Sequence, residues 1–173
     1  MYRLSRRTLA TLAGCVCLTV GLGAGAGAAE GDVKVTPLGS HDGEFCSRDR
    51  ALVFEDPNGT RILYDAGRTV AGPDDPRLGN IDVVLVSHMH GDHVGDARIA
   101  KTNAGTCAAP DISASTLPQS NTVDIAVKKQ AKILTGSEMP AFFGAKLREA
   151  GGDASNSMLV SFGAEPPAVG VAS

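Results

Sequence analysis

Tryptophan is absent from the 173 residues, and tyrosine (two) and phenylalanine (five) are scarce. Proteins that grip single-stranded nucleic acid stack its bases on such rings, so that class is poorly served here. A surplus of positive charge is missing too. The 16 Lys and Arg face 19 Asp and Glu, a net charge of −3, which argues against a polyanion as the main partner. The length excludes two ordinary domains. What remains is globular in composition, 43% apolar with a mean hydropathy of +0.02. Such a chain is not wholly disordered.

Acidic residues are also absent before Glu30, whereas Arg3, Arg6 and Arg7 stand at the start. An apolar stretch follows (Leu9, Leu12, Val16, Leu18, Val20), then a run of small residues through Ala29. A basic head, an apolar middle and small residues at Ala26-Gly27-Ala28 predict a secretory signal over residues 1–29. Ser5-Arg6-Arg7-Thr8-Leu9 is similar to the twin-arginine export signal of bacteria, which implies a periplasmic or secreted protein exported already folded. An alternative is a lipid anchor at Cys15, since Leu12-Ala13-Gly14-Cys15 looks like a lipobox, but the apolar run continues beyond that cysteine. Gly21 to Ala26 also fits a dinucleotide-binding glycine pattern, yet no acidic residue stands at the required distance after a second strand. With the signal removed, the domain is residues 30–173. It is more acidic than the whole chain, and it keeps two of the four cysteines, Cys46 and Cys107. These could form one disulfide outside the cytoplasm or remain two buried thiols; spacing leaves both open.

Along the mature chain, Val33 to Leu38 alternates as a strand. Ala51–Phe54 and Arg61–Tyr64 are short strands, and Pro57 with Asn58-Gly59 between them predicts a hairpin. Ile81 to Val86 is almost wholly apolar, as befits a strand covered on both faces. Beyond it the pattern alternates. Val94–Lys101 predicts one or two helical turns, Thr122–Lys132 a helix, and Ile133–Thr135 a strand. Glu138–Ala150 predicts a helix capped by Ser137 and stopped by Gly151-Gly152. Met158–Phe162 and Val169–Ser173 predict strands. The fold class is α/β (or α+β), a mixed sheet with helices on one face. Phe142, Phe143 and Leu147 read as core contacts, and Lys128, Lys129 and Lys132 as a solvated basic face.

Three of the four histidines fall within six residues: His88, His90 and His93, with Asp92 among them. Residues two apart point roughly 200° from one another on a helix, so His88 and His90 could share an ion only on an extended or looped segment. Gly91 lets that segment turn. Imidazoles with a carboxylate are the ligand mix Zn²⁺ prefers, and loops at the carboxyl ends of sheet strands are where α/β folds place their sites. A His-x-His pair also suits a barrel amidohydrolase, but such a barrel needs roughly 250 residues. His41, on a loop after the first strand, could approach the rim of the site or be a solvated loop residue.

His88-Met89-His90-Gly91-Asp92-His93, preceded by Val83-Val84-Leu85-Val86-Ser87, resembles the signature of the metallo-β-lactamase superfamily. Asp65-Ala66-Gly67 at a strand end is similar to that superfamily's first motif. The resemblance runs from about Val33 to Phe162 and implies the N-terminal half of an αββα sandwich. It implies that His88 and His90 bind one zinc ion, that Asp92 and His93 bind a second, and that Asp92 is also catalytic, steering the metal-bound water. Asp65 would support the ligand loop from behind. The implied chemistry is hydrolysis, with metal-bound hydroxide attacking an ester, lactone, amide, thioester or phosphoester of a small-molecule substrate.

The superfamily completes its site with a later His, a bridging Asp and a further His. No histidine follows His93 here. Asp96, Asp111, Asp124 and Asp153 remain, and none ends a convincing strand, so the bridge is assigned to none of them. The expectation is therefore a C-terminally shortened domain in which each ion has two protein ligands. Three outcomes follow: a hydrolase, an inactive remnant, or a protein that binds metal without turnover. An open sheet face would also invite dimerisation.

Overall fold

The computed structural model describes residues 31–41, 45–116, 119–136 and 139–159. The signal at residues 1–29, the N-cap Ser137 and the strand expected at Val169–Ser173 lie outside the described residues.

Six strands form one sheet in chain order: β1 (Lys34–Pro37), β2 (Leu52–Glu55), β3 (Arg61–Tyr64), β4 (Val83–Val86), β5 (Lys132–Thr135) and β6 (Ser157–Leu159). The first three pair antiparallel and the remainder parallel. The change of direction has a local cause. Asp56 closes the β2–β3 hairpin by accepting from the amides of Asn58 and Thr60, whereas β4, β5 and β6 are reached by longer connections. Those connections carry α1 (Gly91–Val94), α2 (Asn121–Lys129), α3 (Met139–Glu149) and one 3₁₀ turn at Ala154–Asn156. This is an α/β architecture with a mixed sheet, in keeping with the N-terminal half of a metallo-β-lactamase fold.

Register explains which face is covered. Val53, Leu63, Val84 and Ile133 are cross-strand neighbours in one row and are all buried. They form one core with Val123 and Ile125 of α2 and Phe143 and Leu147 of α3. Side chains alternate along a strand, so Phe54, Ile62, Val83 and Leu85 stand on the opposite face, where they are only half-buried. The apolar run of β4 is thus covered fully on one side only among the described elements. Helix α2 starts on Ser120, whose Oγ accepts from the Val123 amide, and stops at Gln130 in the left-handed region. No helix among the described residues is long and apolar enough to cross a membrane.

Two helical expectations need correction. Val94–Lys101 is not helical beyond Val94, because Gly95 takes a left-handed φ of 82° and ends α1 after one turn. Lys132 belongs to β5 rather than to the preceding helix, since Gln130 has already reversed the chain. Cys46 and Cys107 are disulfide-bonded, and Cys107 is exposed, which sets aside two buried thiols.

Candidate metal centre

The site lies beyond the carboxyl ends of β3 and β4. Asp65, directly after β3, is fully buried and carries a positive φ of 45°. Its amide donates to Leu85 O, tying the end of β3 to β4. The carboxylate is saturated. Oδ1 accepts from the Ser87 amide (2.8 Å), while Oδ2 accepts from Ser87 Oγ (2.7 Å) and faces His93 Nδ1 at 2.7 Å. An acceptor so placed keeps the proton of His93 on Nδ1 and leaves the Nε2 lone pair for a metal.

The histidines occupy two kinds of backbone. His88 and His90 lie outside any helix, on the loop after β4, His90 extended with φ −76° and ψ 148°, and Gly91 then opens α1, which carries Asp92 and His93. The sequence expectation of a loop therefore holds for the His-x-His pair, whereas Asp92 and His93 sit on a single helical turn. Three contacts fix this turn. Gly91 N donates to Ser113 O, Ser115 N donates to Met89 O, and Gly67 N donates to His93 O. His90 also bridges to Ala114, so residues 113–115 form a strap along the ligand loop.

The rings converge. The His88 ring centroid lies 4.5 Å from that of His90 and 3.8 Å from that of His93. His93 Nε2 is 3.5 Å from Asp92 Oδ2. Burial holds the His88 imidazole below its ordinary pKa, and the adjacent His93 and His90 lower it further, outweighing the opposing pull of Asp65 and Asp92. A neutral imidazole is the ligating form.

Asp92 supplies the test of whether a cation fits. Its side chain is 2% exposed. Oδ2 accepts from Arg50 Nε at 3.2 Å, but Oδ1 is buried with no hydrogen-bond partner. A buried carboxylate oxygen left unpaired is costly, and a cation bound next to it would satisfy it. The donor set of imidazole nitrogens and one carboxylate suits Zn²⁺. Beside this cluster, Gly91 and Asp92 border a cleft of about 270 Å³ that also meets Arg68, Asp96, Asp111 and Ser113.

All five residues singled out in the sequence thus lie together: His88, His90 and His93 in ring contact, Asp92 against His93, and Asp65 behind His93. His41 stands elsewhere in the contact network, its Nε2 3.2 Å from Cys107 Sγ and 3.5 Å from Cys46 Sγ. Two features were missed. Arg50 reaches Asp92 from the residue before Ala51, and a lone arginine beside a strand gives no signal of such reach. Lys146 on α3, 4% exposed, donates to Ser115 Oγ (3.3 Å), which in turn donates to Asp96 (2.6 Å). Burial lowers the Lys146 pKa, with Asp96 and Glu149 opposing. A lysine so buried within an otherwise amphipathic helix carries no recognisable sequence pattern.

The family model of the metallo-beta-lactamase superfamily matches residues 50–111, a span that contains Asp65 and the whole histidine cluster. No curated protein matches the chain. Similarity to that superfamily over this span suggests metal-dependent hydrolysis.

Proposed function

We propose that the chain is an exported zinc-dependent hydrolase acting on a small molecule with an ester, lactone, amide or phosphoester bond. The carrying observation is the buried, unpartnered Oδ1 of Asp92, whose other oxygen lies 3.5 Å from His93 Nε2, together with the contact of the His88 ring with those of His90 and His93. His88 and His90 hold one ion, and Asp92 with His93 hold a second. A bound zinc ion supplies a Lewis acid and an acidified water. The protein's own groups do the rest. Asp92 is the catalytic carboxylate, steering the attacking water from beside the ion it holds. Asp65 keeps the His93 proton on Nδ1, and Ser87, which donates to the same carboxylate, fixes its direction. Residues 1–29 serve as the export signal by the twin-arginine route, with a lipid anchor at Cys15 as the alternative. The Cys46–Cys107 disulfide supports a destination outside the cytoplasm, because disulfides persist in oxidising compartments.

A second reading is favoured by one contact. The Arg50 guanidinium on Asp92 already brings positive charge to the carboxylate, as in a chain that holds metal weakly or without turnover. Metal analysis of the purified chain, with hydrolysis of an ester, lactone, lactam and phosphoester panel before and after zinc addition, separates the readings. The hydrolase requires at least one bound zinc and turnover abolished by His90→Ala. In that case Asp65→Asn weakens zinc binding by roughly 10- to 100-fold, as loss of an outer partner does. Sub-stoichiometric zinc without turnover would identify an inactive remnant, and tightly held zinc without turnover a metal-binding protein.

A further inference from the structure

Away from the histidine cluster, a second group of metal-binding side chains is brought together by the fold. His41 Nε2, Cys46 Sγ and Cys107 Sγ all lie within 4.8 Å of one another. The two sulfurs are bonded to each other, so they are not ligands in this state. We propose that reduction of this disulfide converts the corner into a Cys₂His site for a thiolate-preferring cation such as Zn²⁺, and that reoxidation expels the ion.

The argument rests on what holds the three residues in place. If only the sulfur–sulfur bond did so, reduction would scatter them. It does not act alone. The buried carboxylate of Asp49 accepts from Ser40 N (3.0 Å), Ser40 Oγ (2.7 Å) and Cys46 N (3.0 Å), clasping the chain beside His41 to the chain at Cys46. The third ligand has its own anchors. Gly105 N donates to Ser40 O, and Gly105 packs so tightly that a Cβ there would stand 2.7 Å from Ser40 Cβ. The Arg68 guanidinium donates to the carbonyls of Thr106 and Ala108, on either side of Cys107. Ser40, Asp49 and Arg68 therefore keep the three donor residues adjacent whichever state the sulfurs occupy.

The chemistry of the set follows. Two thiolates and one imidazole are a zinc donor set with a fourth position open to water. Exposed Cys107 gives reductant and ion an entry path, and exposed disulfides are the more readily reduced ones. A dithiol reductant attacks one sulfur. The Cys46–Cys107 bond breaks, the reductant closes to its own disulfide, and the two electrons leave a pair of thiols. Ion binding then releases the two thiol protons. In the reverse direction a small disulfide oxidant accepts two electrons, the sulfur–sulfur bond re-forms, and the ion leaves. The site shares no ligand with the histidine cluster and does not depend on hydrolase activity.

Cobalt titration of the full chain tests this, because a thiolate-to-cobalt charge-transfer absorption arises only where sulfur ligates. One sample is kept oxidised; the other is reduced with a phosphine, which takes oxygen from water as the thiols form, and is then freed of excess reductant anaerobically. The reduced chain is expected to take up one more cobalt ion than the oxidised chain and to show the sulfur band. His41→Ala retains both thiols and is expected to weaken that binding by more than the roughly 10- to 100-fold that an outer partner supplies. Cys46→Ser removes the band, and His90→Ala leaves it in place. Equal cobalt uptake without a sulfur band would overturn the proposal. So would loss of native circular dichroism on reduction, and a band insensitive to His41→Ala would remove His41 from the site.

Discussion

Asp75 shows how one side chain can organise an irregular segment. The Gly- and Pro-rich loop between β3 and β4 has no ladder to satisfy its backbone, yet it packs Val70, Leu78 and Ile81 into the core. Asp75 accepts from the amides of Ala71 (2.9 Å) and Arg77 (3.0 Å) and from the Arg77 guanidinium (2.7 Å). Arg77 carries the link onward to the carbonyls of Thr69 and Gly39, fastening the loop to the chain after β1. Burial pushes the Asp75 carboxyl up, but the Arg77 hydrogen bond, the two amides and the guanidinium charge outweigh it and hold the pKa below its ordinary 3.8. A carboxyl with a depressed folded-state pKa stabilises the fold above its unfolded pKa and loses that contribution as pH falls. Asp75→Asn is therefore expected to cost about 2 kcal/mol at pH 7, the scale of a charged hydrogen bond. The difference from wild type should shrink as pH falls below the ordinary 3.8. Urea unfolding at pH 7 and across the acid range measures both; a difference that stays constant with pH would remove Asp75 as the cause.

Among the elements, α1 bears most on the site because one turn must aim Asp92 and His93 while the loop between β4 and α1 aims His88 and His90. What ends that turn is Gly95, with φ 82° and an amide donating to Gly91 O. A Cβ at position 95 would stand 2.3 Å from Gly67 O and 2.6 Å from Asn121 Cβ, contacts that backbone cannot relieve. Gly95→Ala is expected to cost roughly 2–5 kcal/mol from positive φ and overpacking together, and to lower the zinc bound per chain. Gly59, also left-handed at φ 89° but with nothing within 4 Å of its Cβ, is the control. Gly59→Ala in the β2–β3 hairpin should cost only about 1 kcal/mol and leave zinc binding unchanged. Chemical unfolding and metal analysis of both variants read this; equal losses would mean that crowding at Gly95 does not matter. The same element marks where sequence reading stopped. The extended His-x-His geometry was legible because imidazoles two apart can converge only off a helix. The single turn carrying Asp92 and His93 was not, since its boundary depends on how closely residues 67 and 121 approach position 95. The clasp of Arg50 on Asp92 and the strap at 113–115 were equally hidden, being tertiary contacts between segments far apart in the chain.

At the scale of the molecule, the two faces of the sheet differ in what covers them. Alternation in Val33 to Leu38, the turn residues between β2 and β3 and the apolar run of β4 made those strands readable, and register makes the second face readable. Val35, Phe54, Ile62 and Val83 line up across β1 to β4 in one row. Leu52, Tyr64, Leu85, Leu134 and Met158 line up across β2 to β6 in the next. The described helices pack on the other side, with Val84 and Ile133. Eight of these nine apolar or aromatic side chains keep part of their surface exposed, Val35 the most at 49%, whereas Leu134 is buried among them. Contiguous apolar surface of that kind favours association. A second copy turned by a twofold axis presents the same rows to the first, so such a pairing buries this face against itself. The expected outcome is a dimer in light-scattering chromatography whose population rises with concentration. Phe54→Lys combined with Ile62→Lys, two neighbours in the central strands, places charge in the middle of the patch and is expected to yield monomer. Because both residues point away from the helical core, the double variant should keep native circular dichroism and the zinc content of wild type. A wild-type chain that stays monomeric throughout the concentration range would mean that this face is covered within the chain itself.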